Sequence, residues 1–114
     1  MIFSDETGME TEDKKELEAL IITALKEIYD PEIPVDIFEL GLIYEVKIKN
    51  DGHVEIDMTL TSPNCPVAES LPVDVKSKIE SLPQVTECKV NIVFDPPWTK
   101  DMMSEEAQLE LGFL

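Results

Sequence analysis

Two alternating segments that flank the tripeptide Asn50-Asp51-Gly52 constrain the fold of this chain more than any other feature of its sequence. In each segment apolar residues recur at every second position, which is the pattern of a β-strand with one face against a core. Asn, Asp and Gly accept the positive φ angles of tight turns, so the two segments are predicted to form an antiparallel hairpin. The apolar positions are Leu42, Tyr44, Val46 and Ile48 before the turn and Val54, Ile56, Met58 and Leu60 after it.

Apolar residues at helical spacing predict one helix before the hairpin and another after it. The first helix is predicted from Thr11 to near Tyr29, because Pro31 disfavours helical geometry at the residue before it. The second helix contains Pro72, which either kinks it or marks its start, the other possible start being near Cys65. Its apolar positions are Val67, Leu71, Val75, Ile79 and Leu82.

A third alternating segment, residues 85–94, predicts a strand, and a short helix is predicted from Ser104. The third strand is reached through a helix, so it is predicted to run parallel to the second. The predicted fold is a small single α/β domain of the α+β type, ordered α-β-β-α-β. It has a three-stranded mixed sheet, helices packed on that sheet and a short C-terminal helix. Residues 1–10 are predicted to be a flexible acidic leader, and residues 11–114 the domain.

The charge balance argues against some classes of partner. The chain carries 25 acidic residues against 9 basic ones, all lysine, and its net charge is −16 at pH 7. Such a surface repels phosphate backbones and anionic lipids, so neither nucleic acid nor a membrane is an expected partner. No apolar run approaches the roughly 20 residues of a membrane span, and the N-terminus lacks the basic and apolar parts of a signal peptide. A cytoplasmic location is therefore expected.

Cysteine and histidine are scarce in this sequence. Cys65 and Cys88 are too few for a secreted disulfide framework, and with His53 they cannot supply the four ligands of a structural zinc site. Cys88 shares the apolar face of the third strand, where a small buried side chain is expected. His53 borders the hairpin turn, at the opposite end of the predicted sheet from Cys65, so a Cys–His catalytic pair is not expected.

Three proline-containing segments, residues 30–41, 61–66 and 95–98, are predicted to meet at one end of the sheet. The first precedes the first strand, the second follows the antiparallel second strand, and the third follows the strand parallel to that one. These directions place all three segments at the same edge. Because sites in α/β sheets tend to form beyond the carboxyl ends of parallel strands, the functional site is predicted there.

Cys65 is the sharpest candidate at that edge. It is predicted to lie at or just before the N-terminus of the second helix, where unpaired amides and the helix dipole stabilise a thiolate. A thiolate can act as a nucleophile or a metal ligand, and the alternative is an inert loop cysteine. The polar residues that could support it are Thr61, Ser62 and Asn64. Thr61 and Ser62 either hydrogen-bond to Cys65 or cap the helix.

The other two segments offer carboxylates and an aromatic side chain. The carboxylates are those of Asp30, Glu32 and Asp36. They either orient Cys65 and give oxygen ligands to a transient metal, or Asp30 ends the helix and Asp36 caps a turn. In the third segment the aromatic residue follows two prolines, Pro96 and Pro97. That residue, Trp98, either packs over the core or forms a partner-binding anchor.

Four segments together resemble the SufT/PaaD-like family, a family of metal–sulfur cluster maturation proteins. They are DPEIPVDIFELGLIY at 30–44, TSPNCP at 61–66, FDPPWT at 94–99 and MSEEA at 103–107. Each segment alone is weak, whereas their order and spacing are specific, and the resemblance runs from about Leu17 to the end of the sequence. The family's functional positions match Asp30, Glu32, Leu40, Gly41, Thr61, Cys65, Pro96, Pro97 and Trp98.

The resemblance implies a compact domain that helps to mature iron–sulfur proteins, with the cluster assembly machinery and apo-client proteins as partners. The sequence has neither the P-loop of the ATPase-fused relatives nor the cysteine-rich tail of the phenylacetyl-CoA oxygenation subunits, which favours the stand-alone SufT-like type. Protein-held clusters generally use four thiolates, so Cys65 alone predicts a transient iron–sulfur cluster and no stable cofactor. A homodimer would contribute two Cys65 thiolates.

Three classes of function remain open. The first is an accessory factor that transfers clusters to apo-client proteins, or docks them, through a site centred on Cys65. The alternative is a non-catalytic subunit or adaptor of a multicomponent oxygenase of the phenylacetate-degradation type. A cysteine-based enzyme comes last, because no histidine is predicted close enough to activate Cys65.

Overall fold

The structure, a computed structural model, describes residues 2–5, 11–30, 33–61 and 70–112. These residues form a four-stranded sheet and three helices, and none of the described helices combines the length and apolarity of a membrane span. The α+β class predicted from the sequence is confirmed. The elements are β1 (Ile2–Asp5), α1 (Thr11–Leu25), β2 (Ile43–Ile48), β3 (His53–Met58), α2 (Ser70–Glu80), β4 (Glu87–Ile92) and α3 (Glu105–Glu110).

The strands lie in the order β1-β2-β3-β4. β2 and β3 are antiparallel and joined by the turn Asn50–Gly52, in which Asp51 and Gly52 have φ angles of 63° and 76°. Across the turn, the Lys49 N–H donates to the His53 carbonyl over 2.7 Å. β4 runs parallel to β3 and is reached through α2. The predicted hairpin and the predicted parallel pair are both confirmed.

The sheet has one strand more than the sequence predicts. β1 pairs parallel to the outer edge of β2, from Ile2 opposite Glu45 to Asp5 opposite Ile48, and Phe3 packs against the core. Part of the segment predicted as a flexible leader is therefore a strand. Its pairing is a long-range contact, which four residues of local sequence do not reveal. Residues 6–10 lie outside the described residues, so the domain boundary after residue 10 stays a prediction.

Helix α1 is described from Thr11 and ends at Leu25, about one turn before the predicted end near Tyr29. The Ile28 carbonyl accepts a hydrogen bond from the Ile37 N–H over 2.9 Å, and Tyr29 forms an isolated antiparallel bridge with Asp36. The chain therefore becomes extended before Pro31 because it pairs with the other arm of the loop. This pairing overrides the helical spacing of the apolar residues.

Pro72 is the third residue of α2 as described. Proline is tolerated in the first turn of a helix because the first N–H groups have no partner within it. Residues 62–69, with Val67 among them, lie outside the described residues, so the choice between a start near Cys65 and a start near Pro72 stays a prediction. The predicted short C-terminal helix is α3, whose first turn is capped by the Ser104 hydroxyl accepting from the Ala107 N–H.

The predicted alternation of β2 is wrong at one position. Ile43 pairs with Met58 but Glu45 pairs with Asp57, so Tyr44 is the extra residue of a β-bulge. The bulge turns Ile43 into the core, at 3% exposure, in the place predicted for Tyr44. The Tyr44 side chain is only half-buried and faces the loops at this end of the sheet.

The hydrophobic core lies between the two longer helices and one face of the sheet. The alternate residues Val54, Ile56 and Met58 of the central strand β3 are at most 2% exposed, as predicted. Helices α1 and α2 contact each other, and α2 also packs on β4. The largest fully buried side chains are Ile21, Leu25, Ile37, Leu40, Leu42, Ile48, Ile56, Met58 and Ile79.

The opposite face of the sheet is polar and its charges are paired across the strands. Lys47 lies 3.4 Å from Asp57, and Lys49 lies 2.7 Å from Glu55. The Asn91 amide donates to the carboxylates of both Glu55 and Asp57, over 2.5 and 2.9 Å. Cross-strand pairs of opposite charge stabilise this sheet face, which none of the described helices covers.

Replacing Glu55 with glutamine is expected to destabilise the protein at pH 7 but not at strongly acidic pH. Hydrogen bonds from Lys49 and Asn91 lower the pKa of Glu55 from its ordinary 4.5 to about 2. The unfolded carboxylate thus takes up its proton first as pH falls, so the stabilisation is complete above pH 4.5 and is lost towards pH 2. Urea unfolding across this pH range measures the stabilisation by Glu55, with Glu16→Gln on the exposed side of α1 as control. A pH-independent difference would contradict the assignment.

Candidate functional site

The first and third of the predicted loops meet at one end of the sheet. The Trp98 indole N–H donates to the Leu40 carbonyl over 2.7 Å. The Tyr44 hydroxyl donates to the Pro96 carbonyl over 2.7 Å, and the Ser104 N–H donates to the Glu39 carbonyl over 2.9 Å. The loop before β2 and the loop after β4 are therefore tied together by hydrogen bonds. This part of the predicted convergence is confirmed.

A cavity of about 530 Å³ opens between these two loops. Its walls are mainly apolar, and the sulfur of Met102 lies 3.5 Å from the Tyr44 hydroxyl oxygen. Burial raises the pKa of the Tyr44 phenol, and its hydroxyl donates to the Pro96 carbonyl. The lining residues are Phe38, Glu39, Gly41, Ile43, Tyr44, Pro96, Met102 and Ser104.

The predicted supporting residues Glu32, Ser62 and Asn64 and the thiol of Cys65 lie outside the described residues. The chain enters segment 62–69 from Thr61 and leaves it at Ser70. At the end of β3, the Thr59 N–H donates to the Leu42 carbonyl over 2.8 Å. The last described residues before Cys65 therefore lie at the same end of the sheet as the two joined loops, and the role of Cys65 stays a prediction.

The two described carboxylates of the first loop bind backbone amides within that loop. Asp30 is 4% exposed and accepts from the Ile33 N–H over 3.1 Å. Asp36 accepts from the Glu39 N–H over 2.9 Å, and burial raises the pKa of its carboxyl group. Asp36 thus caps a turn, as one alternative predicted. Asp30 does not end the helix, because α1 ends at Leu25 and Asp30 instead holds a turn within the loop. A second role toward Cys65 stays a prediction.

The Pro-Pro-Trp segment divides into a packed residue and two exposed ones. Trp98 is half-buried against the core, and its indole N–H is held by Leu40. Pro96 and Pro97 are exposed, and Pro96 lines the cavity. Packing is therefore the observed role of Trp98. Partner binding by this segment stays a prediction.

Sequence reasoning missed two polar residues at this end of the sheet, Tyr44 and Thr59. Tyr44 was assigned to the core, although a hydroxyl at an apolar strand position signals a hydrogen-bond partner nearby. The Thr59 hydroxyl is buried and has no hydrogen-bond partner among the described residues. The alternating pattern of β3 gave no reason to single it out. In the described part of the chain, no three His, Cys, Asp or Glu side chains cluster to hold a metal ion.

His53 lies at the opposite end of the sheet, as predicted. Its side chain is exposed beside the hairpin turn, with Nδ1 3.0 Å from the Asn50 carbonyl and Nε2 3.5 Å from Glu87. His53 is the first residue of β3, whereas the chain continues towards Cys65 from the opposite end of that strand. His53 is therefore not part of the loop-built site.

Cys88 is expected to resist thiol reagents until the protein unfolds. It is 1% exposed, and burial raises the pKa of its thiol from 9.0 to about 12. Each pKa unit lowers the thiolate fraction tenfold, so the reactive form is about a thousandfold rarer than at the ordinary pKa. In a Cys65→Ser variant, an aromatic disulfide reagent should therefore label no thiol in the folded protein and one in denaturant. Rapid labelling of the folded variant would contradict this burial.

The fold and the two joined loops define a small α+β domain with one loop-built surface at the end of its sheet. A family model described as iron-sulfur cluster assembly protein matches residues 18–92. An Fe-S protein maturation auxiliary factor from Porphyromonas gingivalis is 54% identical over 94 residues, which are 82% of this chain and 90% of the relative. The Fe-S protein maturation auxiliary factor SufT from Staphylococcus aureus is 45% identical over 85 residues, 75% of this chain and 97% of the relative.

Solved structures agree with these matches. A crystal structure of a domain of unknown function from Bacillus anthracis superposes with a TM-score of 0.83 at 37% identity. The superposition covers 92% of this chain and 100% of that one. This chain belongs to the iron–sulfur cluster assembly protein family, and the resemblance to SufT-like proteins found in its sequence is confirmed.

Proposed function

We propose that this chain is an accessory factor of iron–sulfur cluster assembly that acts through the thiolate of Cys65. The proposal is supported by the burial and the raised pKa of the other thiol, that of Cys88. Cys88 is buried under α2 and its pKa is raised to about 12, so it is neither accessible nor ionised at neutral pH. The chain has two cysteines, and any thiolate chemistry therefore falls to Cys65.

One thiolate per chain suits brief contact with a cluster better than storage. Clusters held by proteins generally have four thiolate ligands, and the described residues offer no cluster of three metal-binding side chains. Cys65 thus serves as one ligand during hand-over, with the rest supplied by the donor, the acceptor or a second copy of this chain. The accessory role is non-catalytic, and the cluster is cargo.

The cavity between the two joined loops is the proposed docking surface for the assembly machinery and its apo-client proteins. Its apolar walls and the exposed Pro96 and Pro97 offer a rigid surface beside the point where the chain turns towards Cys65. The net charge of −16 favours partners with basic surfaces over nucleic acid or anionic membranes. We also propose that the protein acts in the cytoplasm. The names of the relatives favour assembly over the alternative of an oxygenase subunit.

Anaerobic reconstitution with iron and sulfide tests the proposal, comparing the wild type with Cys65→Ser and with Cys88→Ala as the matched control. Visible absorption and native mass spectrometry report the cluster, and activation of an apo-acceptor enzyme reports transfer. We expect a labile, transferable cluster on the wild type and on Cys88→Ala but not on Cys65→Ser. Equal binding and transfer by all three proteins, or none by any, would refute the role of Cys65.

A further inference from the structure

Strand β4 is an edge of the sheet, and its backbone groups alternate between its neighbour β3 and the open side. The Val93 N–H just beyond β4 donates to the Met58 carbonyl over 2.8 Å, so the odd-numbered residues face β3. The Cys88 N–H instead donates to the Glu80 carboxylate over 3.0 Å, and the Cys88 carbonyl accepts from Lys76 over 2.9 Å. Two side chains of α2 thus close the open edge at Cys88.

The same alternation directs the N–H and C=O groups of Val90 and Ile92 to the open side. Neither residue has a backbone or side-chain hydrogen-bond partner on that side among the described parts of the chain. Native proteins usually block such edges because unpaired backbone groups can bind another strand. Among the described residues, the block stops after Cys88, and the backbone groups of the following part of the strand are open.

The side chains along this open edge differ in polarity between the two faces of the sheet. Val90 and Ile92 are half-buried against the core, and Phe94, next on the same side, is 49% exposed. Lys89 and Asn91 lie on the other side, with the polar face of the sheet. An added strand would therefore find apolar contacts on the core side and polar contacts on the other, which is the environment that an alternating sequence fits.

We propose that the edge from Val90 to Phe94 binds an extended, lysine-rich or arginine-rich segment of a partner protein as a fifth strand. The net charge of −16 attracts a cationic segment and repels a second copy of this chain. Self-pairing is further limited because Pro96 and Pro97 lack N–H groups and Cys88 is already bonded, so the open edge is confined to residues 90–94. That edge is too short for a stable dimer interface of the usual size.

This inference rests on the backbone of β4 and does not depend on Cys65. A chain that fails to carry clusters can still bind a strand here, and a chain that carries them can lack this second surface. Separate measurements therefore test the two proposals.

The probe is a short peptide of alternating lysine and valine, acetylated and amidated at its ends, with a glutamate–valine peptide as the charge control. Amide hydrogen exchange of the wild type, measured by NMR, is expected to slow at Val90 and Ile92 when the lysine peptide is added. Two versions of this peptide, N-methylated at one or the other set of alternate residues, separate backbone pairing from general charge attraction. One version should bind at least about tenfold more weakly and the other nearly as well as the parent, because only one set of N–H groups faces β4.

Val90→Pro provides the matching test on the protein. Proline at this position removes an N–H that faces the open edge and not the β3 ladder, so the fold is expected to survive. Val90→Thr keeps the N–H and serves as control. Three results would overturn the proposal: equal binding of both methylated peptides, slow exchange of Val90 and Ile92 in the free chain, or light scattering that shows a dimer lost in Val90→Pro.

Discussion

Replacing Gly41 with alanine is expected to lower the free energy of unfolding by about 3 kcal/mol. Gly41 has a φ angle of 79°, which residues with a side chain rarely adopt. A Cβ atom there would lie 2.3 Å from the Met102 carbonyl oxygen, a backbone atom that a rotamer change cannot move away. The loop before β2 would have to separate from the loop after β4, which opens the cavity between them. Urea unfolding of Gly41→Ala against the wild type measures the loss.

Gly112→Ala is the matched control for this substitution. Gly112 has a φ angle of 81°, almost the same as Gly41, but no described residue lies within 4 Å of an added Cβ. Gly112→Ala is therefore expected to lower the free energy of unfolding by about 1 kcal/mol, which is the cost of the backbone conformation without a clash. Equal losses for the two variants would mean that the contact of Gly41 with Met102 does not hold the loops together.

Truncating Ile56 to alanine is expected to lower the free energy of unfolding by about 4 kcal/mol. Ile56 is fully buried in the central strand β3, between Val46 of β2 and Val90 of β4. The two neighbouring strands prevent the backbone from closing over the cavity. Chemical denaturation measures the change, which is a large part of the 5–15 kcal/mol typical of a whole domain.

Val73→Ala removes similar apolar atoms from the exposed side of α2, where the side chain is 58% exposed. Its effect is expected to stay within about 0.5 kcal/mol. A comparable loss in both variants would show that burial does not decide the cost and would contradict the position of Ile56 in the core.

The elements that the sequence predicts well are those whose signals are local. The alternation of β3 and the Asn50-Asp51-Gly52 turn specify the hairpin without reference to the rest of the chain. The features that were wrong depend on contacts between distant residues. β1 exists because β2 offers an edge to it, α1 ends early because Ile28 pairs with Ile37, and Tyr44 leaves the core because a bulge shifts the register.

The same difference between local signals and contacts of distant residues applies to the candidate site. Strand directions alone placed the loops before β2 and after β4 at one end, because a hairpin and a parallel crossover fix where each strand starts and stops. Residue types and spacing could not show that Trp98 is held by Leu40, or that Asp30 binds the Ile33 amide. Those roles depend on side-chain directions that only the packed loops determine.

The position of the hairpin at the centre of the sheet sets an order for folding. β2 and β3 are joined between Ile48 and Val54, so they can pair after closing a loop of a few residues. β4 must wait for the crossover through α2, and β1 must find Glu45 across the longest separation in the sheet. Loop-closure entropy therefore favours growth outward from the hairpin, with β1 joining last. By the same argument we expect β1 to be the first strand to detach from the sheet.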